Sequence, residues 1–159
     1  MSTATLTAIH LRAKEGALPS LTKSARVLSV IGLDGDYHAK LEDATKKNRY
    51  SRAVTLIEEE AVAHVAKEHG IKLRAEQTSR NLLTRGVDLN ALVGREFTIG
   101  DPSSADHVVL RGTGLCHPCT SLEARTQPGV KAAFKGKGGL CAEIVKPGVV
   151  NVGDAIAAR

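Results

Sequence analysis

Hydrophobic and polar positions change their period several times along this chain. Residues 5–11 alternate loosely and predict an opening strand. Residues 15–23 carry Gly16, Pro19 and Ser20 and read as a loop. Residues 25–32, rich in Val, Leu and Ile, predict a strand that runs into Gly32-Leu33-Asp34-Gly35-Asp36-Tyr37-His38, a tight irregular loop. Residues 40–50 are polar without a period and predict a flexible loop or lid. Residues 52–56 predict a second strand. Ile57, Ala61, Val62 and Val65 then follow helical spacing, with Gly70 as the stop. Glu58, Glu59 and Glu60 fall in that helix's first turn, where negative charge suits the dipole, and read as a solvated helix start. His64 and His69 lie on the same helix and read as surface or satisfied histidines.

Residues 80–83 and 89–93 predict short helical turns, ended by Gly86 and Gly94. Beyond Gly94 the pattern shifts to short apolar runs at 96–99, 107–111, 140–145 and 149–152. Turns at Gly100-Asp101-Pro102, Pro147-Gly148 and Gly153-Asp154 separate several of them. The expectation is a single mixed α/β domain, β-rich, over residues 1–159 with its core at about 25–157. Its sheet is expected to curl or close in a barrel-like way, with a few peripheral helices.

Composition narrows the class. The 159 residues are enough for one full core without staples. Three cysteines are an odd number, so a disulfide framework does not account for them. No signal peptide or membrane-spanning run is visible, which predicts a cytoplasmic protein in a reducing compartment. The net charge of +5 favours an anionic partner. Aromatic residues make up only 3% of the chain, and no helix-turn-helix or zinc-finger spacing is present, which argues against nucleic acid. A small phosphorylated ligand fits this charge better.

The chemistry concentrates at Cys116-His117-Pro118-Cys119, followed by Thr120-Ser121-Leu122-Glu123. Thr120 and Glu123 have the spacing of a capping box. A thiol at a helix start feels the positive end of the dipole, which favours thiolate. The opposing reading is that Cys119 is a small buried apolar residue. A thioredoxin-like C-x-x-C needs an early βαβ unit, and structural zinc needs a second ligand pair. A single reactive thiol at Cys119, with Cys116 beside it and Cys141 in the core, fits better than either. Gly136-Lys137-Gly138-Gly139, flanked by Lys131 and Lys135, is either an anion cradle or a flexible connection. Arg80-Asn81 is either a phosphate clasp or a loop anchor.

Taken in order, these segments resemble the MOSC domain, named after the C-terminal part of molybdenum cofactor sulfurases. The resemblance rests on the 32–38 loop, Arg52-Ala53-Val54-Thr55-Leu56, Glu60, Arg80-Asn81-Leu82, Leu92-Val93-Gly94 and Phe97-Thr98-Ile99-Gly100. It continues through His117-Pro118-Cys119, Gly138-Gly139, Pro147-Gly148 and Val152-Gly153-Asp154. It implies a barrel-like fold, a molybdopterin-type molybdenum cofactor, bound permanently or transiently, and Cys119 as metal or persulfide ligand. Arg52, Arg80, Asn81, Lys135 and Lys137 become candidates for pterin and phosphate contacts, and Asp36 and His38 for polar or acid–base groups. The implied activity is that of a molybdenum-cofactor-dependent oxidoreductase or a sulfur-transfer protein, served by a sulfur donor or an electron-transfer partner. The expected form is a stand-alone module, independent of pyridoxal phosphate, without the extra barrel or desulfurase domain of larger members. The rival is a non-catalytic binding module with structural cysteines and a basic docking surface.

Overall fold

The computed structural model describes residues 3–14, 16–29, 31–40, 51–118 and 120–159, with His38 and Lys40 described by backbone alone. The strands are β1 (Thr5–Leu11), β2 (Ser20–Thr22), β3 (Ser24–Leu28), β4 (Gly32–Leu33), β5 (Val54–Glu58) and β6 (Leu82–Arg85). They continue with β7 (Glu96–Ile99), β8 (Val108–Leu115), β9 (Leu140–Lys146), β10 (Gly148–Asn151) and β11 (Ile156–Ala158). The α-helices are α1 (Glu59–His69), α2 (Thr120–Arg125) and α3 (Val130–Ala133). None of the described helices is long and apolar enough to cross a membrane.

Eight strands form one sheet in the order β11-β7-β8-β9-β5-β6-β1-β2, and β10-β3-β4 form a second. Among the described strands every ladder is antiparallel except β5 with β6. A parallel pair needs a crossover, and α1 supplies it. The helix ends where Gly70 enters the left-handed region at φ 66° and donates its N–H to the Ala66 carbonyl.

The mixed, strand-rich class matches the sequence reading, but closure does not. Among the described residues no sheet is closed into a barrel: the large ladder ends at β11 on one side and β2 on the other, with no ladder between these two. The sheet does bend back on itself. An isolated bridge joins Thr5 to Ala155, Leu6 N–H donates to Asp154 O at 2.9 Å, and Ile156 N–H donates to Ala4 O at 2.8 Å.

The large sheet divides two cores, because alternate side chains of a strand point to opposite faces. Leu56, Leu82, Leu110 and Leu140 pack on one face with Phe97, and the second sheet covers that core with Ala25, Val27, Leu33 and Val150. Ile57 and Leu83 point the other way, against Ala61 and Val65 of α1, Leu122 of α2, and Val130, Ala133 and Phe134 in and after α3.

Residues 82–85, expected in part as a helical turn, are a strand. Leu82, Leu83 and Thr84 are buried between β5 and β1, and a strand walled on both faces shows no alternation for a sequence pattern to reveal. Residues 89–92 do form a 3₁₀ turn, capped by Asp88, whose carboxylate accepts the N–H groups of Asn90 and Ala91. Residues 20–22, expected within a loop, pair with β1. Of the lid expected over residues 40–50, Lys40 ends the 3₁₀ turn Tyr37–Lys40, and residues 41–50 lie outside the described residues.

Candidate functional site

The start of β5, the approach to β6, the end of β8 and the start of β9 meet along one strand-end edge of the large sheet, among its central strands. β8 and β9 pair through a register shift between Gly112 and Gly114, which sets Cys141 opposite Gly114 and Leu140 opposite Leu115. The chain then leaves β8, and Cys116 N–H donates to Gly139 O at 2.8 Å. Glycine is required here for close approach. A Cβ on Gly138 would strike the Cys116 carbonyl, and one on Gly139, at φ 105°, would strike the Leu56 carbonyl.

Arg80 ties the same knot from the β6 side. Its Nε donates to Gly138 O at 2.8 Å and its Nη2 to His117 O at 3.5 Å. Asn81 anchors β6 to β5: its Oδ1 accepts the Thr55 N–H at 3.1 Å and the Thr55 hydroxyl at 3.2 Å, while its own N–H donates to that hydroxyl. Both residues, placed near the cofactor by the sequence reading, thus have defined structural duties at this edge.

Two thiols lie beneath. Cys116 and Cys141 are both free and buried, with their sulfurs 2.7 Å apart in a thiol–thiol hydrogen bond. That bond is the largest influence on both groups. It lowers the pKa of Cys141 to about 7 and raises that of Cys116, whose burial acts in the same direction. The positive charges of Arg80 and Arg52 favour thiolate at both sulfurs. Arg52 is itself exposed. The structure therefore brings Arg52 and Arg80 together around a sulfur pair that sequence reasoning had divided into a neighbour and a core residue. No sequence signal links Cys116, just past β8, to Cys141 in β9, since α2 and α3 lie between them in the chain.

Cys119 itself lies outside the described residues. The segment after it departs from the expected capping box. Thr120 is already helical, and Glu123 turns forward instead of back. Its Oε1 accepts the N–H groups of Gly129 at 2.8 Å and Lys131 at 3.2 Å, capping the start of α3. At six residues α2 is also short for a strong dipole.

The other candidates are dispersed. Asp36 is buried and its Oδ1 accepts the Arg12 backbone N–H at 2.9 Å. His38 sits in the 3₁₀ turn Tyr37–Lys40. Lys135 and Lys137 are exposed beyond α3, and the charge of Lys137 acts on Glu58. The glycine-rich turn is tied into the fold: Gly136 O accepts from Asn90 Nδ2 at 3.0 Å, alongside the carbonyl contacts of Gly138 and Gly139, and Lys137 N–H donates to Phe134 O at 2.8 Å. Glu58 ends β5 ahead of the helix, while Glu59 and Glu60 open α1 half-exposed and exposed, as a solvated start should be, and also reach the end of β6. Glu59 accepts from Arg85 Nε at 2.7 Å and Glu60 from the Gly86 N–H at 2.7 Å. Among the described residues no group of three or more His, Cys, Asp or Glu side chains gathers as a metal cluster.

A cleft of about 190 Å³ opens beside the Arg80 approach, with Leu18, Pro19, Gln77, Ser79 and Arg125 among its walls. Arg125 Nη1 donates to Ser79 Oγ at 2.8 Å, which helps hold Ser79 at φ 60°. His10 is a further buried group that the sequence did not mark. Its Nδ1 lies 2.9 Å from the Arg80 carbonyl, and its Nε2 has no hydrogen-bond partner among the described residues.

This arrangement can be set beside known proteins. YuaD from Bacillus subtilis superposes with a TM-score of 0.78 at 19% identity, over 98% of this chain and 94% of that one. YiiM from Geobacillus stearothermophilus gives 0.72 at 14% identity, over 98% and 75%. YiiM from Escherichia coli gives 0.68 at 16% identity, over 99% and 68%. At these identities the likeness is one of fold. No curated protein matches the sequence. The MOSC domain family matches over residues 34–157, most of the chain and all the strands from β5 onward. By that match the chain belongs to the MOSC domain family.

Proposed function

We propose that this protein binds a molybdopterin-type molybdenum cofactor and handles sulfur or molybdenum chemistry at Cys119. The observation that carries the reading is the convergence of Arg52 and Arg80 on the edge from which residues 116–118 lead toward Cys119. The family association with molybdenum cofactor sulfurases supports it.

The donor set fits such a group. A guanidinium offers planar paired donors to phosphate and acidic oxygens, and a thiolate is a natural ligand for a soft centre or a sulfane sulfur. When bound, the cofactor supplies two-electron chemistry at molybdenum. The chain supplies the rest. Arg80 holds residues 117 and 138 in place through their carbonyls, and Arg52 provides an exposed positive charge. Asn81 fixes the strand ends beneath them. Lys135 and Lys137, exposed after α3, add positive charge for the cofactor's acidic groups, and the 32–38 loop carries Asp36 and His38 as candidate polar groups. A sulfur donor or an electron-transfer protein completes the cycle, and a reducing cytoplasm suits the free thiols.

The test is production of the protein in cells that make the cofactor, followed by molybdenum analysis, absorbance and mass spectrometry for a persulfide. The parent is expected to carry molybdenum or a sulfur adduct. Cys119→Ser should lose it with little change in Tm, since serine keeps the size but not the softness. Arg52→Ala should weaken retention with an unchanged Tm. A parent free of molybdenum, pterin and persulfide sinks the reading, as does full retention in Cys119→Ser. Either result favours the rival docking module, for which the buried pairing of Cys116 with Cys141 already supplies structural cysteines.

A further inference from the structure

We propose that Cys116 and Cys141 form a reversible dithiol–disulfide site that takes a small hydroperoxide as its oxidant and ties the segment ahead of Cys119 to β9. This does not rest on the cofactor reading. It rests on the geometry of two strands. The sulfurs are 2.7 Å apart, against about 2.05 Å in a disulfide, so the two reacting atoms already face each other.

The backbone holds that geometry on both sides. Cys116 N–H is fixed to Gly139 O, and the Cys141 carbonyl accepts the Thr113 hydroxyl at 3.0 Å. Cys116 is 6% exposed and Cys141 8%, a degree of cover that favours a small reagent over a protein partner. Arg52 and Arg80 favour the attacking thiolate. Cys119 stands three residues along the chain and is the obvious sequence partner of Cys116, yet among the described residues it is the Cys141 sulfur that lies within 2.7 Å of the Cys116 sulfur.

The chemistry balances with one hydroperoxide. The Cys141 thiolate attacks the near peroxide oxygen, the O–O bond breaks, and the far oxygen leaves with a proton as water or an alcohol. Cys141 becomes a sulfenic acid. The Cys116 sulfur then attacks the Cys141 sulfur, the S–O bond breaks, and hydroxide leaves with the Cys116 proton as water. Two electrons pass from the two sulfurs to the peroxide. A small dithiol reverses the result by exchange.

The experiment uses the full chain, reduced and then treated with one equivalent of hydrogen peroxide, blocked with iodoacetamide under denaturing conditions and digested without reductant. The expected product is a cross-linked peptide joining Cys116 to Cys141 with Cys119 alkylated, formed equally in Cys119→Ser and reopened by dithiothreitol. The oxidised chain should melt above the reduced one. A Cys116–Cys119 cross-link overturns the proposal. So does an intermolecular cross-link, sulfinic acid at separate cysteines, a bond that dithiothreitol does not reopen, or three alkylated cysteines after peroxide. The mapping is done on the parent chain, so the outcome does not depend on whether Cys116→Ser or Cys141→Ser folds.

Discussion

His10 shows how one buried side chain couples this fold to pH. Its Nδ1 faces a carbonyl oxygen, so that nitrogen carries the hydrogen and donates to Arg80 O. The neutral ring therefore leaves Nε2 as an unpaired acceptor. Protonation would place both a charge and an orphan N–H in the interior. Burial accordingly lowers the pKa of His10 below 6.5, against smaller opposing effects from the Arg80 carbonyl and Glu76. The unfolded chain takes up this proton at a higher pH than the folded one. Stability from this group is fully present above about pH 6.5 and declines as pH falls toward the lower folded value. We expect the Tm of the parent to fall between pH 7 and pH 5, and His10→Gln to show a flatter profile over the same interval. Thermal melts across that range check it, and parallel profiles would exclude His10 as the source.

At the scale of elements, the segment from α2 to β9 is held by polar ties more than by helix length. α2 and α3 have six and four residues, too few to be stable by propensity. Glu123 joins them by capping the start of α3, while Leu122, Val130 and Phe134 bury the joint. Glu123→Ala removes the acceptor for two N–H groups and should cost about 0.5–2 kcal/mol, the range for a lost helix cap. Glu123→Gln keeps an acceptor oxygen and should recover most of it. Urea denaturation of the two variants checks the order. Equal losses would mean that the carboxylate charge, not the cap, holds the joint.

At the scale of the whole molecule, the two cores share strands. β5 sends Leu56 into one and Ile57 into the other, and β6 does the same with Leu82 and Leu83. Neither core can come apart without disturbing the sheet between them. Leu110→Ala on the strand side and Leu122→Ala on the helix side should each lower stability by about 2–5 kcal/mol. Both should leave a single unfolding transition, seen by calorimetry and by circular dichroism. A separate early transition in Leu122→Ala would show that the helical side is an independent unit.

Much of this was legible in the sequence. The runs at 5–11 and 96–99 and the helix stopped by Gly70 all carried local signals, a period or a punctuating glycine, and local signals survive without tertiary contacts. The set of short segments also sufficed to indicate the family. The tertiary structure decided what depends on partners distant in the chain. It made a strand of residues 82–85, because burial on both faces erases alternation. It turned Glu123 forward to α3 and left the large sheet unclosed. It set Cys116 against Cys141, which only the register of β8 on β9 could do: a pairing across 25 residues leaves no spacing to read, since the distance between two sulfurs is fixed by which strands lie side by side.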